Sequence, residues 1–142
     1  IMSKNIFINL PVSDLKKSTS FYQSLGWTVN PQYTNETAAC IVVSSEIHVM
    51  LLTHPKFKEF TPRAIPDAFQ YTEVMNALTV DSKEQVNSMV DTVLAIGGKE
   101  VRDPQDYGFM FGRAFGDPDG HIWELIWMHP TAAQWEGENA RT

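Results

Sequence analysis

Hydrophobic residues recur along this chain with two alternating spacings, and the order of those spacings predicts the elements of its first half. Short or alternating apolar runs, which are typical of β-strands, cover residues 4–10, 27–33, 37–43 and 47–53. Between the first two runs, apolar residues follow a helical spacing that ends at Leu25. Ser13 or Asp14 suits the N-cap of this helix, and Gly26 suits the position after its last turn. The first half is therefore predicted as β-α-β-β-β.

The same order of spacings returns in the second half. Strand patterns cover residues 73–80, 99–102, 107–115 and 121–128. The helix between the first two begins with a capping box formed by Ser82 and Gln85, and Gly97 follows its end. Its apolar residues keep a 3.6-residue period: Val86, Met89, Val90, Val93 and Leu94. The second half is therefore also predicted as β-α-β-β-β.

This repetition predicts an internal duplication within one domain of residues 1–142. Its parts are a first module at 4–53, a linker at 54–72, a second module at 73–130 and a polar tail at 131–142. Residues 47–55 also match residues 122–130 in register, with Ile, Leu, His and Pro recurring. The alternative is two unrelated halves that match by chance, but element order and spacing both favour the repeat. The linker contains several aromatic residues, so we expect it to cover a cavity mouth or to pack on the surface.

Charge and composition narrow the classes of partner. The chain carries a formal net charge of −6, which argues against nucleic acid or an anionic membrane as a partner. No apolar run is long enough to span a bilayer, and the first residues lack the apolar region of a signal peptide. Cys40, the single cysteine, lies in an apolar run and is expected to be a core residue. These features predict a cytoplasmic protein.

One charged residue interrupts the most apolar predicted strand. The strand at 121–128 follows a turn whose residues suit type I geometry, Asp117-Pro118-Asp119-Gly120. Glu124 lies in the middle of this strand, and burying a carboxylate is costly unless the carboxylate is paired or coordinated. We therefore expect Glu124 to have a partner or to face a cavity.

Several motifs together resemble the vicinal oxygen chelate superfamily, which includes glyoxalase I, extradiol dioxygenases, fosfomycin-resistance enzymes and bleomycin-binding proteins. The first module carries Leu10-Pro11-Val12-Ser13-Asp14-Leu15, Phe21-Tyr22 and Leu25-Gly26, and the last strand carries Trp123-Glu124-Leu125 after the turn. Other segments resemble bacterial proteins described as predicted lactoylglutathione lyases: Glu36-Thr37-Ala38-Ala39-Cys40, Val49-Met50-Leu51-Leu52-Thr53 and Gly108-Phe109-Met110-Phe111-Gly112-Arg113. The resemblance implies an α+β fold in which two β-α-β-β-β modules curve mixed sheets around a shared cavity, with the helices outside.

The resemblance also implies where a metal would bind, because metal-using members take ligands from the first and fourth strands of each module. The corresponding positions here are Phe7, Val49 or Leu51, Met75 and Glu124. A single carboxylate does not make a site for a hard divalent ion, so we expect no metal cofactor at these positions. His48 is the best other candidate, although a lone strand histidine is more often a core or edge residue. The sequence leaves open a metal recruited by residues outside these positions.

Three functions remain compatible with the sequence. The first is a metal-free binder of a small molecule, with a cavity lined by Phe7, Asn9, Met75, Phe111 and Trp127. The second is a glyoxalase-like lyase or isomerase in which Glu124 is the general base and Arg113 the nearest cation. Alternatively, Arg113 has a structural role and forms a salt bridge to Glu124 or Asp117. The third is a regulatory dimer without a small ligand. We expect a homodimer in each case, with Trp135 among the candidate contacts.

Overall fold

Two open, mixed β-sheets and three helices form the described part of the chain, residues 3–130 of a computed structural model. The predicted α+β class is therefore confirmed. The predicted polar tail at 131–142, with the expected dimer contact of Trp135, lies outside the described residues.

The first four-stranded sheet belongs to the first half of the chain. Its elements are β1 (Ile6–Val12), α1 (Leu15–Ser24), β2 (Thr28–Asn30), a 3₁₀ turn (Pro31–Tyr33), β3 (Ala38–Val42), β4 (Ile47–Thr53) and α2 (His54–Lys58). The strands are ordered β1-β4-β3-β2, with β1 parallel to β4 and the other pairs antiparallel.

The second sheet has the same order of its main strands. Its elements are β5 (Met75–Thr79), α3 (Lys83–Ala95), β6 (Lys99–Glu100), β7 (Gln105–Asp106), β8 (Met110–Gly116) and β9 (Ile122–Met128). The order is β5-β9-β8-β6, with β5 parallel to β9, and β7 also pairs with β8.

The helix starts follow the predicted caps. The carboxylate of Asp14 accepts a hydrogen bond from the backbone N–H of Lys17 at 3.1 Å, so Asp14 and not Ser13 is the cap. Ser82 accepts from the N–H of Gln85 at 3.0 Å, and the Gln85 side chain accepts from the N–H of Asp81 at 2.8 Å. The box therefore satisfies two backbone donors that the helix itself leaves unpaired.

Several predicted strand bounds were wrong. The first strand continues through Pro11, since β1 is an edge strand where the missing N–H of proline costs no ladder bond. The second strand stops at Asn30 because Pro31 opens the 3₁₀ turn. The 99–102 strand is only two residues long, and β7 was not predicted.

The core of each sheet lies under its main helix. In the first half, Tyr22 of α1 is fully buried together with Ile41, Val49 and Leu51. Cys40 is also buried, as predicted, and burial raises the pKa of its thiol. In the second half, the buried face of α3 meets β8 and β9 through the following residues: Val86, Val90, Val93, Phe115, Trp123 and Leu125.

The chain divides into two compact units whose boundary does not follow the chain order. The first unit contains the chain up to Thr72 together with Asp117–His121, the turn between β8 and β9. The second unit contains Glu73–Gly116 and, within the described residues, 122–130.

The turn is held in the first unit by its two carboxylates. Oδ1 of Asp117 accepts from the N–H groups of Asp119 and His121, and the hydroxyl of Tyr22 donates to its Oδ2 at 2.6 Å. Asp119 in turn accepts from the N–H of Ser13 at 2.9 Å. Burial raises the pKa of Asp117, against the opposing effects of the nearby His121 charge and of these hydrogen bonds.

His121 follows the glycine of the turn, and its side chain contacts β1. Its Nε2 lies 2.7 Å from the carbonyl oxygen of Pro11, and the residue is half-buried. The turn therefore contacts β1 through the His121 side chain, in addition to the bonds that its carboxylates accept from Ser13 and Tyr22.

Candidate functional site

Glu124 has an ion-pair partner that the sequence did not reveal. Its Oε1 accepts a hydrogen bond from Nη1 of Arg102 at 2.8 Å. The two side chains keep 16% and 29% of their surface exposed, respectively, so the pair is neither fully buried nor freely solvated. Arg102 lies between β6 and β7, and its Nη2 is 3.4 Å from Oε1 of Gln105. Of the two situations expected for Glu124, a partner or a cavity, the structure shows a partner, and it is Arg102 instead of Arg113.

Arg113 contacts neither Glu124 nor Asp117, so the salt bridge that was considered for it does not form. Its Nε and Nη2 donate to the two carboxylate oxygens of Glu100, at 2.9 and 3.0 Å. Its Nη1 donates to Asn87 and Asp91 of α3, at 2.9 and 3.1 Å. The buried guanidinium therefore ties the helix to the sheet.

The pairing register explains this difference between the two arginines. Directly paired residues of neighbouring strands have side chains on the same face of a sheet. Arg113 pairs with Leu125, whereas Glu124 pairs with Ala114 and Ala77. Arg113 therefore lies on the face covered by α3, and Glu124 lies on the opposite face.

Phe111 and Trp127 also lie on the face of the sheet that α3 covers. They pair with each other, two residues along each strand from Arg113 and Leu125. The Nζ of Lys83, in the first turn of α3, lies 5.2 Å from the centre of the Trp127 ring. The structure thus does not bring Phe111, Arg113 and Trp127 together with Glu124.

Met75 does share the face of Glu124. It pairs with Ile122, two residues before Glu124 on β9, and 55% of its surface is exposed. Ile122 and Ile126 flank Glu124 on this face, and both are half-buried. Met75, Ile122, Glu124 and Ile126 form a surface that we call the Glu124 face. It combines the ion pair of Glu124 and Arg102 with apolar side chains.

Phe7 and Asn9 lie in the other unit, on one face of the edge strand β1. The Phe7 ring is 48% exposed and stacks on the ring of His48, with centroids 4.5 Å apart. The Asn9 side chain is exposed, and its amide donates to the carbonyl of Phe7 at 3.4 Å. His48 Nε2 is 3.3 Å from the side-chain oxygen of Asn5, whereas its buried Nδ1 has no partner among the described residues.

The register also corrects the fourth-strand position of the first module. Glu124 pairs with Ala77, two residues after Met75, so its counterpart should pair with Asn9, two residues after Phe7. That residue is Met50. Val49 and Leu51 are fully buried and belong to the other face of β4.

At the four positions to which the resemblance assigns metal ligands, this chain therefore has Phe7, Met50, Met75 and Glu124. One carboxylate and two thioethers do not match the oxygen and imidazole ligands that Mg²⁺, Zn²⁺ or Ni²⁺ require. Within residues 3–130, no three His, Cys, Asp or Glu side chains cluster in a way that could hold an ion. The described residues at these four positions therefore do not fit a hard divalent ion.

Sequence reasoning missed two residues: Arg102, the partner of Glu124, and Met50, the fourth-strand position of the first module. Arg102 follows a two-residue strand and precedes Asp103-Pro104, so no periodicity assigns it to a face. The identical residues shared by β4 and β9 do not indicate Met50, because their match is displaced by one residue from the pairing register. A one-residue displacement moves every side chain to the other face.

Within the described residues, no helix has the length and apolar character needed to cross a membrane. A search of curated proteins found no match to this sequence.

Solved structures with the same fold are numerous. A hypothetical protein from S. aureus is 30% identical, with a TM-score of 0.74 over 89% of this chain and 95% of that chain. A glyoxalase-related enzyme from Fulvimarina pelagi is 22% identical, with a TM-score of 0.73 over 89% of this chain and 88% of its own. The fosfomycin resistance protein FosX from Mesorhizobium loti is 14% identical, with a TM-score of 0.68, covering 94% of this chain and 99% of that one. The last two show similarity of fold alone.

The family assignment comes from the sequence itself. Residues 6–125, most of the chain, match the family model of the Glyoxalase/Bleomycin resistance protein/Dioxygenase superfamily. The match covers the first sheet, Glu124 and the second sheet up to the middle of β9. The chain belongs to the Glyoxalase/Bleomycin resistance protein/Dioxygenase superfamily.

Proposed function

We propose that this protein binds a small organic molecule on the Glu124 face, without a metal held at the family positions. The observation that carries the proposal is the Arg102–Glu124 ion pair on the sheet face opposite α3. Ligand sites are mostly apolar and contain a few fixed polar groups that orient the ligand. Met75, Ile122 and Ile126 supply the apolar part of this face, and the ion pair supplies the polar groups.

The pairing changes the expected chemistry of the ligand. An unpaired Glu124 in an acidic protein would favour a cationic ligand, but Arg102 compensates its charge at 2.8 Å. A ligand therefore meets a donor and an acceptor side by side. This arrangement favours a molecule with both kinds of group, or one that displaces one partner of the pair.

The proposal is tested by a thermal-shift screen of small organic acids, amines and neutral aromatic compounds, since a ligand that binds only the folded state raises its midpoint. Glu124→Gln should abolish the response to any compound found, because the amide keeps the size of the side chain but removes the charge beside Arg102. Glu46→Gln is the matched control at an exposed glutamate and should respond like the unmodified protein. A response that survives in Glu124→Gln would reduce Glu124 to a structural partner of Arg102.

A second function, a glyoxalase-like lyase or isomerase, is favoured by one feature of the carboxylate. Oε1 of Glu124 accepts from Arg102, while no described residue hydrogen-bonds to its Oε2. A held carboxylate with one free oxygen suits proton abstraction next to a carbonyl. Formation of S-lactoylglutathione from methylglyoxal and glutathione, lost in Glu124→Gln, would establish this function over simple binding.

The metal-free part of the proposal has its own test. We expect elemental analysis of the purified protein to find no stoichiometric divalent ion, because Phe7, Met50 and Met75 do not bind one. A stoichiometric ion that disappears in Glu124→Gln would contradict the proposal and favour the metal-dependent lyase.

We also propose that the protein self-associates as a homodimer. Each sheet ends on a strand with an open edge, β1 in the first unit and β5 in the second. Large apolar side chains are exposed beside these edges, with Ile6 at 53% and Val74 at 62%. Open apolar edges favour pairing with another chain.

Sedimentation equilibrium at micromolar concentration should therefore give the mass of a dimer. Ile6→Asp should shift the equilibrium towards monomer, because it places a charge at the edge of β1. Tyr33→Asp, at a residue that is 59% exposed in the 3₁₀ turn, is the control and should leave the mass unchanged. A monomer in the unmodified protein would exclude the homodimer.

A further inference from the structure

Arg102 uses only part of its hydrogen-bonding capacity. Nη1 donates to Glu124 at 2.8 Å, and Nη2 makes a long contact of 3.4 Å with Gln105. Its Nε is buried and has no partner among the described residues. A buried N–H without an acceptor is unfavourable, so native proteins rarely leave one unless another group, such as a ligand, completes it.

Arg113 shows what a complete set of partners looks like in the same protein. Its Nε and Nη2 together donate to both oxygens of the Glu100 carboxylate, while Nη1 donates to a second carboxylate, that of Asp91. One guanidinium can therefore serve two carboxylates on two different edges. Arg102 has the second of these partners, Glu124 on Nη1, but lacks the bidentate carboxylate on Nε and Nη2.

We propose that the ligand of the Glu124 face is a small carboxylic acid whose carboxylate occupies the Nε and Nη2 edge of Arg102. This inference rests on the proposed function and names the class of ligand. The carboxylate would take the place that Glu100 has on Arg113, while Glu124 stays on Nη1. The rest of the ligand would lie on the apolar surround at Met75, Ile122 and Ile126.

The chain around Arg102 would have to open slightly to admit a carboxylate. Nε itself is enclosed, so a carboxylate reaches it only if the neighbouring chain moves slightly. Arg102 lies between two strands of two residues each, and its neighbours Val101, Asp103 and Pro104 are exposed. Few ladder bonds hold this segment, and segments of this kind open at low free-energy cost. The long Gln105 contact is the one that an incoming carboxylate would replace.

The test compares two probes that differ only in the proposed group, phenylacetate and its neutral isostere phenylacetamide. Titration of the ¹⁵N-labelled full chain, followed by amide chemical shifts on β8 and β9, gives the affinity for each probe. Phenylacetate should bind about tenfold or more tightly, as expected for a charge-assisted bidentate pair. Arg102→Lys keeps the charge but loses the planar fork, and should weaken phenylacetate binding about tenfold. Arg63→Lys, at an exposed arginine of the linker, should leave the affinity unchanged.

Equal affinity for the two probes, or an unchanged affinity in Arg102→Lys, would overturn the carboxylate inference while leaving the Glu124 face a binding site for other molecules. Absence of phenylacetate binding would also overturn the inference. The proposed function fails separately, when the wider screen yields no compound whose binding depends on Glu124. If Arg102→Lys does not fold, the comparison of the two probes on the unmodified chain still decides.

Discussion

Replacing Gly120 by alanine should lower the free energy of unfolding by roughly 3 kcal/mol. Gly120 closes the turn between β8 and β9 with φ of +90°, a conformation that costs an L-residue about 1–2 kcal/mol. A Cβ at this position would also lie 2.8 Å from the backbone nitrogen of Phe69 and 2.9 Å from the carbonyl carbon of Ala68. Backbone atoms cannot move aside as a flexible side chain can, so the linker would have to shift.

Gly26→Ala is the control that separates the two costs. Gly26 has φ of +91°, but a Cβ there would meet no atom within 4 Å. Its substitution should cost only the conformational term, about 1 kcal/mol. Thermal unfolding of both variants measures the difference, since about 3 kcal/mol corresponds to roughly 10 °C in a chain of this size. Equal midpoints for the two variants would show that the linker does not dock closely on the turn.

The repeated element order was predictable because each signal is local. The spacing of apolar residues, the caps Asp14 and Ser82, and Gly97 depend on a few neighbouring residues. The predicted turn forms too, with the N–H of Gly120 bonded to the carbonyl of Asp117 at 3.0 Å. The sequence does not predict where the linker docks, because its contact at Ala68 and Phe69 depends on a glycine about fifty residues away in sequence.

The composition of the Glu124 face was less predictable because it depends on register. A strand that is apolar at both parities gives no sign of which residues face the helix. Arg113 is the nearest cation on the adjoining strand in the sequence, but it pairs with Leu125, so its side chain lies on the opposite face of the sheet from Glu124. Arg102, the true partner, lies in an irregular segment whose path no sequence pattern specifies. Glu124 itself could be singled out because a lone carboxylate in an apolar strand stands out without any knowledge of the fold.

Replacing Arg113 by methionine should also lower the free energy of unfolding by roughly 3 kcal/mol, the low end for breaking a buried ion pair. The Arg113 side chain is only 10% exposed, and the change would remove both bonds to Glu100 and the bonds to Asn87 and Asp91. Asp91 is 67% exposed and can be solvated, so most of the cost comes from Glu100, which is 22% exposed. Lys56→Met is the control, because its pair with Glu59 leaves the two side chains 32% and 61% exposed, and it should cost less than about 1 kcal/mol.

The pH dependence of this effect follows from Glu100. The hydrogen bonds from Arg113 hold the pKa of Glu100 below its usual value of 4.5, against the opposing effect of burial. A carboxyl group whose pKa is lowered on folding contributes stability that is fully present above its unfolded pKa and is lost as the pH falls through its folded pKa. The difference in stability between the unmodified protein and Arg113→Met should therefore be full at neutral pH and shrink below about pH 4.5. Urea unfolding of both proteins across this range measures it, and a difference that stays constant or grows as the pH falls would show that the Arg113–Glu100 pair does not stabilise the fold.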